Sequence, residues 1–332
     1  MFKLTLIKSD RRYNITPIVG EFSWDSDFSV MAALEMEVAF SDTRFFPRNP
    51  CDLGDAVILT EDGQEVFRGI IVDEDRSGRG PIKYKVYDYS WYLFESTTVY
   101  QFNNISATKA IKRILRDFGI QIGSIINMPT IIDKIYLEKE PAKIIQDILN
   151  KVESHEGYTV NVEMRQGKIS FEKRQDLLIR GTFALAANLW DGRNVTDAIA
   201  ESKRTRSIED MRNRIRLIVE DEETEYEITA ETESADLIEK YGLLEKTLKI
   251  DAEDAAKSRQ VAKVLLERLG KVHETNKVTL MGDARVKAGR LFDIKEPVTG
   301  MQGRFMIAAV KHSVSNQIHN MELELVLPED VV

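Results

Sequence analysis

Two stretches of this chain read alike at a near-constant separation. Residues 53–89 run LGDAVILTEDG, EVFRGIIVDEDRSGRG and IKYKVYDY, and residues 288–327 run AGRLFDIKEPVTG, GRFMIAAVKHSVSNQ and HNMELELVL. Each has a glycine and a polar residue before an alternating strand, then a turn, a strand with Phe near its start, a polar loop and a last alternating strand. Gly54 and Gly289 stand 235 positions apart, Phe67 and Phe305 238, Tyr84 and Met321 237. Such an echo restricts the chain to two copies of one β-module with the intervening residues inserted between them. Because alternating strands resemble one another by pattern alone, coincidence is the competing reading.

The first copy belongs to a β-rich opening. In LEMEVAF, Leu34, Met36, Val38 and Phe40 point one way and Glu35 and Glu37 the other, as in a strand with one wet face. Asp62-Gly63 between two apolar runs signals a hairpin. Past Tyr100 the period becomes helical. Ala107, Ala110, Ile111, Ile114, Leu115 and Phe118 form one stripe, with Ser106 placed to cap it and Gly119 to stop it. Its other face, with Lys109, Lys112, Arg113 and Arg116, reads as a solvated helix face or a phosphate-binding one. Pro141 opens a second helix with Ile144, Ile145, Ile148, Leu149 and Val152 inward and Gly157 at its end. Two strands, YTVNVEM and KISFEKR, follow around the turn at 165–167. A third helix starts at Asp251, with Asp254 in its first turn and Val261, Ala262, Leu265, Leu266 and Leu269 as its stripe. VYDYSWYLFES (86–96) stands between the first β-rich stretch and the first helix. Its aromatic residues suit a partly buried seam, because a base-stacking platform also needs a basic groove beside it.

At 332 residues the chain is long enough for two to three domains. No apolar run approaches a membrane span, and the N-terminal stretch has no signal-peptide pattern, so no membrane anchor is expected. One cysteine, Cys51, excludes an intrachain disulfide. The four histidines form no metal-ligand spacing, and no phosphate-binding glycine loop or nucleophile motif occurs, so no cofactor, metal or catalytic residue is expected. The net charge of −9 argues against general nucleic-acid binding. Residues 220–254 hold fourteen acids and three lysines, a net of −11 that leaves +2 for the rest. They read either as a solvated strand pair and helix or as an acidic surface facing a channel or a basic partner. Just before them Arg212, Arg214 and Arg216 alternate with apolar and polar neighbours, placing three guanidiniums on one strand face.

The run LGDAVILTEDGQEVFRGIIVDE, with YKVYDYSWYLFESTTVYQFNNISATKAIKRILRDFGI after it, resembles the hub proteins of contractile phage tails. So do SIEDMRNRI, KYGLLEK, GDARVKAG and the closing strand with His319, Met321, Leu323 and Leu325. The resemblance is to the XkdQ/YqbQ-like hubs of prophages and phage-tail-like bacteriocins, related to late control protein D, and it spans nearly the whole chain. It implies a mainly β fold with an α/β insert (α+β overall). A first tube-like β-barrel is expected over 1–100, an inserted α/β domain over 101–180, and a second tube-like barrel with additional helices over 181–332. It implies a structural protein and no enzyme, assembled as a homotrimer that adapts a six-fold tail tube to a three-fold spike. The implied partners are other copies of the chain, tail tube or tube-initiator protein, central spike, baseplate wedge and tape measure proteins. The implied setting is the bacterial cytoplasm during assembly and then the baseplate of a phage tail or phage-tail-like particle. In that setting Arg212, Arg214 and Arg216 are interface candidates, and Glu220, Glu222, Glu225, Glu227 and Glu231 are candidates for an acidic lumen. The alternatives are a peptidoglycan hydrolase or other enzyme associated with the tail tip and a sheet-based nucleic-acid binder.

Overall fold

Alternation in the first ninety residues is carried by seven strands of the computed structural model, which describes residues 1–28, 31–185, 198–220, 226–250 and 258–328. They are β1 (Phe2–Lys8), β2 (Arg11–Asn14), β3 (Val19–Ser26), β4 (Ala33–Val38), β5 (Ala56–Glu61), β6 (Gln64–Arg76) and β7 (Ile82–Tyr87). Leu34, Met36 and Val38 are buried, as their spacing requires, beside Leu4, Leu59, Ile71 and Tyr84. Asp62 and Gly63 both take positive φ between β5 and β6, the backbone that a two-residue hairpin turn needs.

The aromatic stretch then makes a short helical turn, α1 (Trp91–Phe94), and its Leu93 is buried in the next core, against which Tyr89 and Phe94 pack. That core belongs to an α/β unit made of β8 (Thr98–Ser106), α2 (Ala107–Asp117), β9 (Ile122–Ile125), β10 (Ile131–Lys139), α3 (Pro141–Glu156), β11 (Val160–Arg165) and β12 (Lys168–Lys173). The expected caps are present. The Ser106 side chain accepts from Lys109 N, Pro141 is the first residue of α3, and Gly157 ends it in the left-handed conformation. Both helix stripes are buried against a β10-β8 ribbon and a β11-β12-β9 sheet, except that Phe118, expected in the first stripe, is the C-cap residue and only partly buried.

Two more strands follow, β13 (Leu178–Leu185) and β14 (Ala198–Ser207), and the second half of β14 belongs to a distinct unit spanning Lys203–Asn276, while Met1–Ser202 and Lys277–Val332 form the other compact unit. The smaller unit contains β15 (Arg214–Glu220), β16 (Tyr226–Glu233), α4 (Ala235–Tyr241), β17 (Glu245–Lys249) and α5 (Ser258–Leu269), with sheet order β16-β15-β17. Its core is Ile215, Leu217, Ala230 and Ala262, with Leu265, Leu266 and Leu269 against it. Val261, expected in the buried stripe of α5, is 36% exposed instead. Asp251 and Asp254 lie outside the described residues. The chain returns as β18 (His273–Met281), β19 (Leu291–Glu296), β20 (Met301–Ser315) and β21 (Ile318–Val326).

Among the described residues thirteen strands form one sheet, and its pairings contain the same strand order twice: β3-β4-β7-β6-β5-β1 and β14-β18-β21-β20-β19-β13. The backbone confirms the repeat residue by residue. Gly54 N donates to Ile71 O (2.8 Å) and Ile71 N to Asp55 O (2.9 Å); Gly289 N donates to Ile307 O (2.9 Å) and Ile307 N to Arg290 O (2.9 Å). Both glycines have positive φ, +83° and +76°, which explains why glycine stands there in both copies. Each long strand then shifts register at the same step, between Ile71 and Asp73 against β7 and between Ile307 and Ala309 against β21. A cross-strand ion pair is kept with its signs exchanged: Lys83–Glu37 at 3.4 Å and Lys277–Glu322 at 3.5 Å. The register also corrects two of the sequence pairings. With Ile71 matched to Ile307, Phe67 corresponds to Gly303 and Phe305 to Gly69, and with Val86 matched to Leu325, Tyr84 corresponds to Leu323. A slip of two keeps each side chain on its own face, so the sequence pattern did not expose it. A Cβ at Gly69 would lie 2.1 Å from Tyr87 O, so Phe305 has no aromatic counterpart in the first copy.

Candidate assembly interface

The two modules differ in how their second strands are used. β13 and β14 pair in parallel and close the second module into a ring of six strands. β3, the counterpart of β14, instead pairs antiparallel with β20, Val310 standing opposite Ser26 and Val314 opposite Phe22. This edge-to-edge contact makes one sheet of two modules, and it removes two open edges at once.

Side chains reinforce the junction. Trp24 of β3 stacks on His312 of β20 with ring centroids 4.5 Å apart and planes within 7°. Phe2 meets His319 edge-on at 5.1 Å. The two histidines touch, Nδ1 of His312 lying 3.0 Å from Nε2 of His319, while His312 Nε2 lies 2.9 Å from Val286 O. Only one arrangement of neutral rings satisfies both contacts. His312 carries its proton on Nε2 and donates to the carbonyl, and His319 carries its proton on Nε2 and donates to His312 Nδ1. His319 Nδ1 is then a buried acceptor without a partner. Burial holds both imidazoles at about 4, so the pair is neutral at pH 7. A Cβ at Gly282 would strike the His319 ring at 2.1 Å, so the close approach of that loop requires glycine.

A second contact ties the α/β unit to the second module. Glu163 of β11 accepts from Arg165 Nε (2.9 Å), Lys287 Nζ (3.1 Å) and Arg290 Nη2 (2.7 Å). Burial alone would raise this carboxyl, but the Arg165 hydrogen bond and the charges of Lys287 and Arg290 outweigh it and hold the group at about 2. The other buried carboxylates are likewise bound by their own surroundings. Asp88 is pushed up to about 6 by burial, although Ser90 and Ala32 N donate to it. Glu296 accepts from Val298 N, Thr299 N and the Thr299 hydroxyl. Burial, with Asp55 adding to it, pushes the Cys51 thiol up to about 12, which removes its thiolate at neutral pH.

The arginines chosen from the sequence are not all together. Arg214 and Arg216 lie on β15, but Arg212 precedes the strand and donates to Glu209 O and Met211 O. Arg214 meets Glu233 at 2.6 Å and Glu245 at 3.6 Å; Arg216 meets Glu231 at 2.8 Å and Glu245 at 3.0 Å. The counter-charge for these two guanidiniums therefore comes from the acidic stretch of the same chain. Glu231 faces Arg216 across the strands. Glu220 and Glu227 are placed by backbone only, in β15 and β16, and Glu222 and Glu225 lie outside the described residues. The histidine pair, the Glu163 clamp and the β3–β20 junction were missed by the sequence reading, since each joins residues that no local spacing connects.

A family model described as YqbQ-like matches residues 22–326, from within β3 through β21. The chain belongs to the YqbQ-like family. This YqbQ-like chain is similar to the uncharacterized protein YqbQ of Bacillus subtilis (strain 168), 26% identical over 280 residues that cover 82% of this chain and 81% of that protein. It is 26% identical over 289 residues to the phage-like element PBSX protein XkdQ of the same strain, covering 84% of each. Its fold matches the crystal structure of the 43 kDa tail protein of prophage MuSo2 from Shewanella oneidensis, with a TM-score of 0.73 at 14% identity over 99% of this chain and 100% of that one.

Proposed function

We propose that this YqbQ-like chain is a structural protein of a phage tail or phage-like element, and more narrowly the hub of its baseplate. In this reading it is a homotrimer that adapts a six-fold tail tube to a three-fold spike. The observation that carries it is the duplicated module. Each chain supplies two like β-modules already joined edge to edge by β3 and β20, so three chains present six modules. A closed cyclic trimer reconciles the two symmetries without any further protein. The similarity to a prophage tail protein and to a protein of a phage-like element supports the same setting. Tube, spike and wedge proteins are the partners this role requires, and the work done is positional rather than catalytic. The net of −11 over 220–254 suits a surface that repels nucleic acid, and Glu220, Glu222, Glu225, Glu227 and Glu231 remain the proposed lining.

Light scattering of the purified chain, alone and with its tube and spike partners, tests the role. Three chains per particle are expected. A chain that stays monomeric with both partners, or particles that assemble normally without it, would overturn the proposal.

A further inference from the structure

Among the described residues, the half-buried arginines are matched with acceptors, with one exception. Arg68, Arg165, Arg204, Arg214, Arg216 and Arg290 meet carboxylates, and Arg212 meets two carbonyls. The guanidinium of Arg174 makes no hydrogen bond and no ion pair. Its place is fixed where β12 ends, Arg174 N donating to Thr159 O at 3.0 Å. Its Cζ lies 4.6 Å from the centroid of the Phe28 ring. That cation–π contact covers one face of the group and leaves its in-plane N–H donors unsatisfied. Nε is sealed from solvent without an acceptor, while the Nη atoms still reach a cleft.

The cleft has a volume of about 290 Å³, at the low end of the roughly 300–1,000 Å³ of small-molecule sites, so it holds one small group. Gln146, Leu149 and Glu153 of α3 line it with Arg174, and Phe28, 37% exposed, stands beside the guanidinium. Glu153 does not neutralise the arginine. Its carboxylate accepts from the Thr159 hydroxyl (3.0 Å), forms no ion pair with Arg174 and acts on it only through space. Burial pulls Arg174 below the ordinary arginine value, and the Glu153 charge offsets only part of that. A partly desolvated cation without counter-charge lowers stability, so its retention beside an empty space marks where an anion from outside would sit.

We infer that Arg174 anchors a binding site for a single carboxylate, held end-on by its Nη groups in the cleft between Phe28 and α3. A carboxylate matches the paired N–H groups of a planar guanidinium. A phosphate dianion matches the site less well, because Glu153 faces the same space and no second cation among the described residues lines the cleft. The Phe28 ring and the Leu149 side chain supply apolar walls for the carbon stem that carries the carboxylate. That stem belongs to an acidic side chain of another protein or to a free small acid, and the two share the same chemistry at Arg174. The site is independent of the hub reading and stands or falls without it.

Proton–nitrogen correlation spectra of the full-length chain test the site, with sodium acetate, a blocked glutamate-containing pentapeptide and inorganic phosphate titrated at constant ionic strength. Both carboxylates should shift the Arg174 Nε–H and the backbone amides of Gln146 and Glu153 saturably, with a dissociation constant on the order of 1 mM for acetate. Arg174→Met should abolish the amide shifts. It should melt no lower than wild type, since it removes an unpaired charge and keeps a side chain against Phe28. Glu153→Gln, which leaves an acceptor for Thr159, should tighten carboxylate binding several-fold. Pentapeptide binding about tenfold tighter than acetate assigns the site to a protein segment, and equal affinity assigns it to a free small acid. The site is overturned by the absence of a saturable shift, by amide shifts that persist in Arg174→Met, or by phosphate binding tighter than either carboxylate. An Arg174→Met chain that melts well below wild type also overturns it, because the guanidinium would then be satisfied in place.

Discussion

Replacing Glu163 with Gln removes one charge and almost no volume, and it isolates the clamp between β11 and the loop before β19. The side chain is 12% exposed and faces Arg165, Lys287 and Arg290. Two routes give the cost. The fall of its pKa from 4.5 to about 2 is worth roughly 3 kcal/mol at about 1.4 kcal/mol per pKa unit. Breaking a buried ion pair by removing one partner costs about 3–5 kcal/mol. For a unit of this size the loss lowers the melting temperature by roughly 6–12 °C. The sign with pH follows from the depressed carboxyl. Its stabilisation is complete above the unfolded value near 4.5 and is lost as pH falls through the folded value near 2, so the gap between wild type and Glu163→Gln closes over that window. Calorimetry at neutral pH, followed by urea titrations stepped from pH 6 downward, measures both. Arg290→Met should cost less in the Glu163→Gln background than alone, because the carboxylate it served is gone. A neutral-pH cost under about 1 kcal/mol, the size of an exposed pair, would refute the reasoning. So would a gap that does not narrow with acid.

The histidine pair should make the module junction acid-sensitive: burial depresses both folded pKa values to about 4, so stability is complete above 6.5 and falls as pH drops toward 4. For the buried His312 this is worth about 3 kcal/mol, and imidazole proton resonances that titrate near 6.5 in the folded chain would contradict it. Gly289→Ala should destabilise more than Gly54→Ala. Both have positive φ, but only Gly289 places a Cβ 2.2 Å from Asn161 Oδ1, so equal melting temperatures would count against the contact. Arg214→Glu adds a fourth carboxylate to Glu231, Glu233 and Glu245 and should lower the melting of the smaller unit at low salt, with the difference shrinking as salt rises. Phe45 is 91% exposed in the loop between β4 and β5, and Phe45→Ser should leave thermal stability within about 0.5 kcal/mol of wild type in calorimetry.

What could be read from the residues alone was whatever depends on neighbours in sequence. Ser106, Pro141 and Gly157 marked helix ends because capping is local, and Leu34, Met36 and Val38 marked a buried face because strand alternation is local. The glycine pair gave the repeat correctly because both positions need the same backbone. The phenylalanine pair slipped by two because side-chain identity is not kept where Tyr87 crowds Gly69. Arg212 reads like its neighbours by parity, yet the strand starts two residues later and its guanidinium turns to the preceding loop. His312 meets His319 through a two-strand register, and Glu163 meets Arg290 across more than a hundred residues; neither is encoded in a spacing.

The β3–β20 pairing also orders events during synthesis. Val310 meets Ser26 after 284 further residues have left the ribosome, which at about 5–20 residues per second takes roughly 14–57 s. Through that interval the nascent chain exposes a strand edge bearing Phe22 and Trp24, a template for the wrong neighbour. Glu21 and Asp25 flank those rings, and another edge of the same sequence would bring like charges against them. The last strands to be made are thus the ones that retire the hazard created by the first.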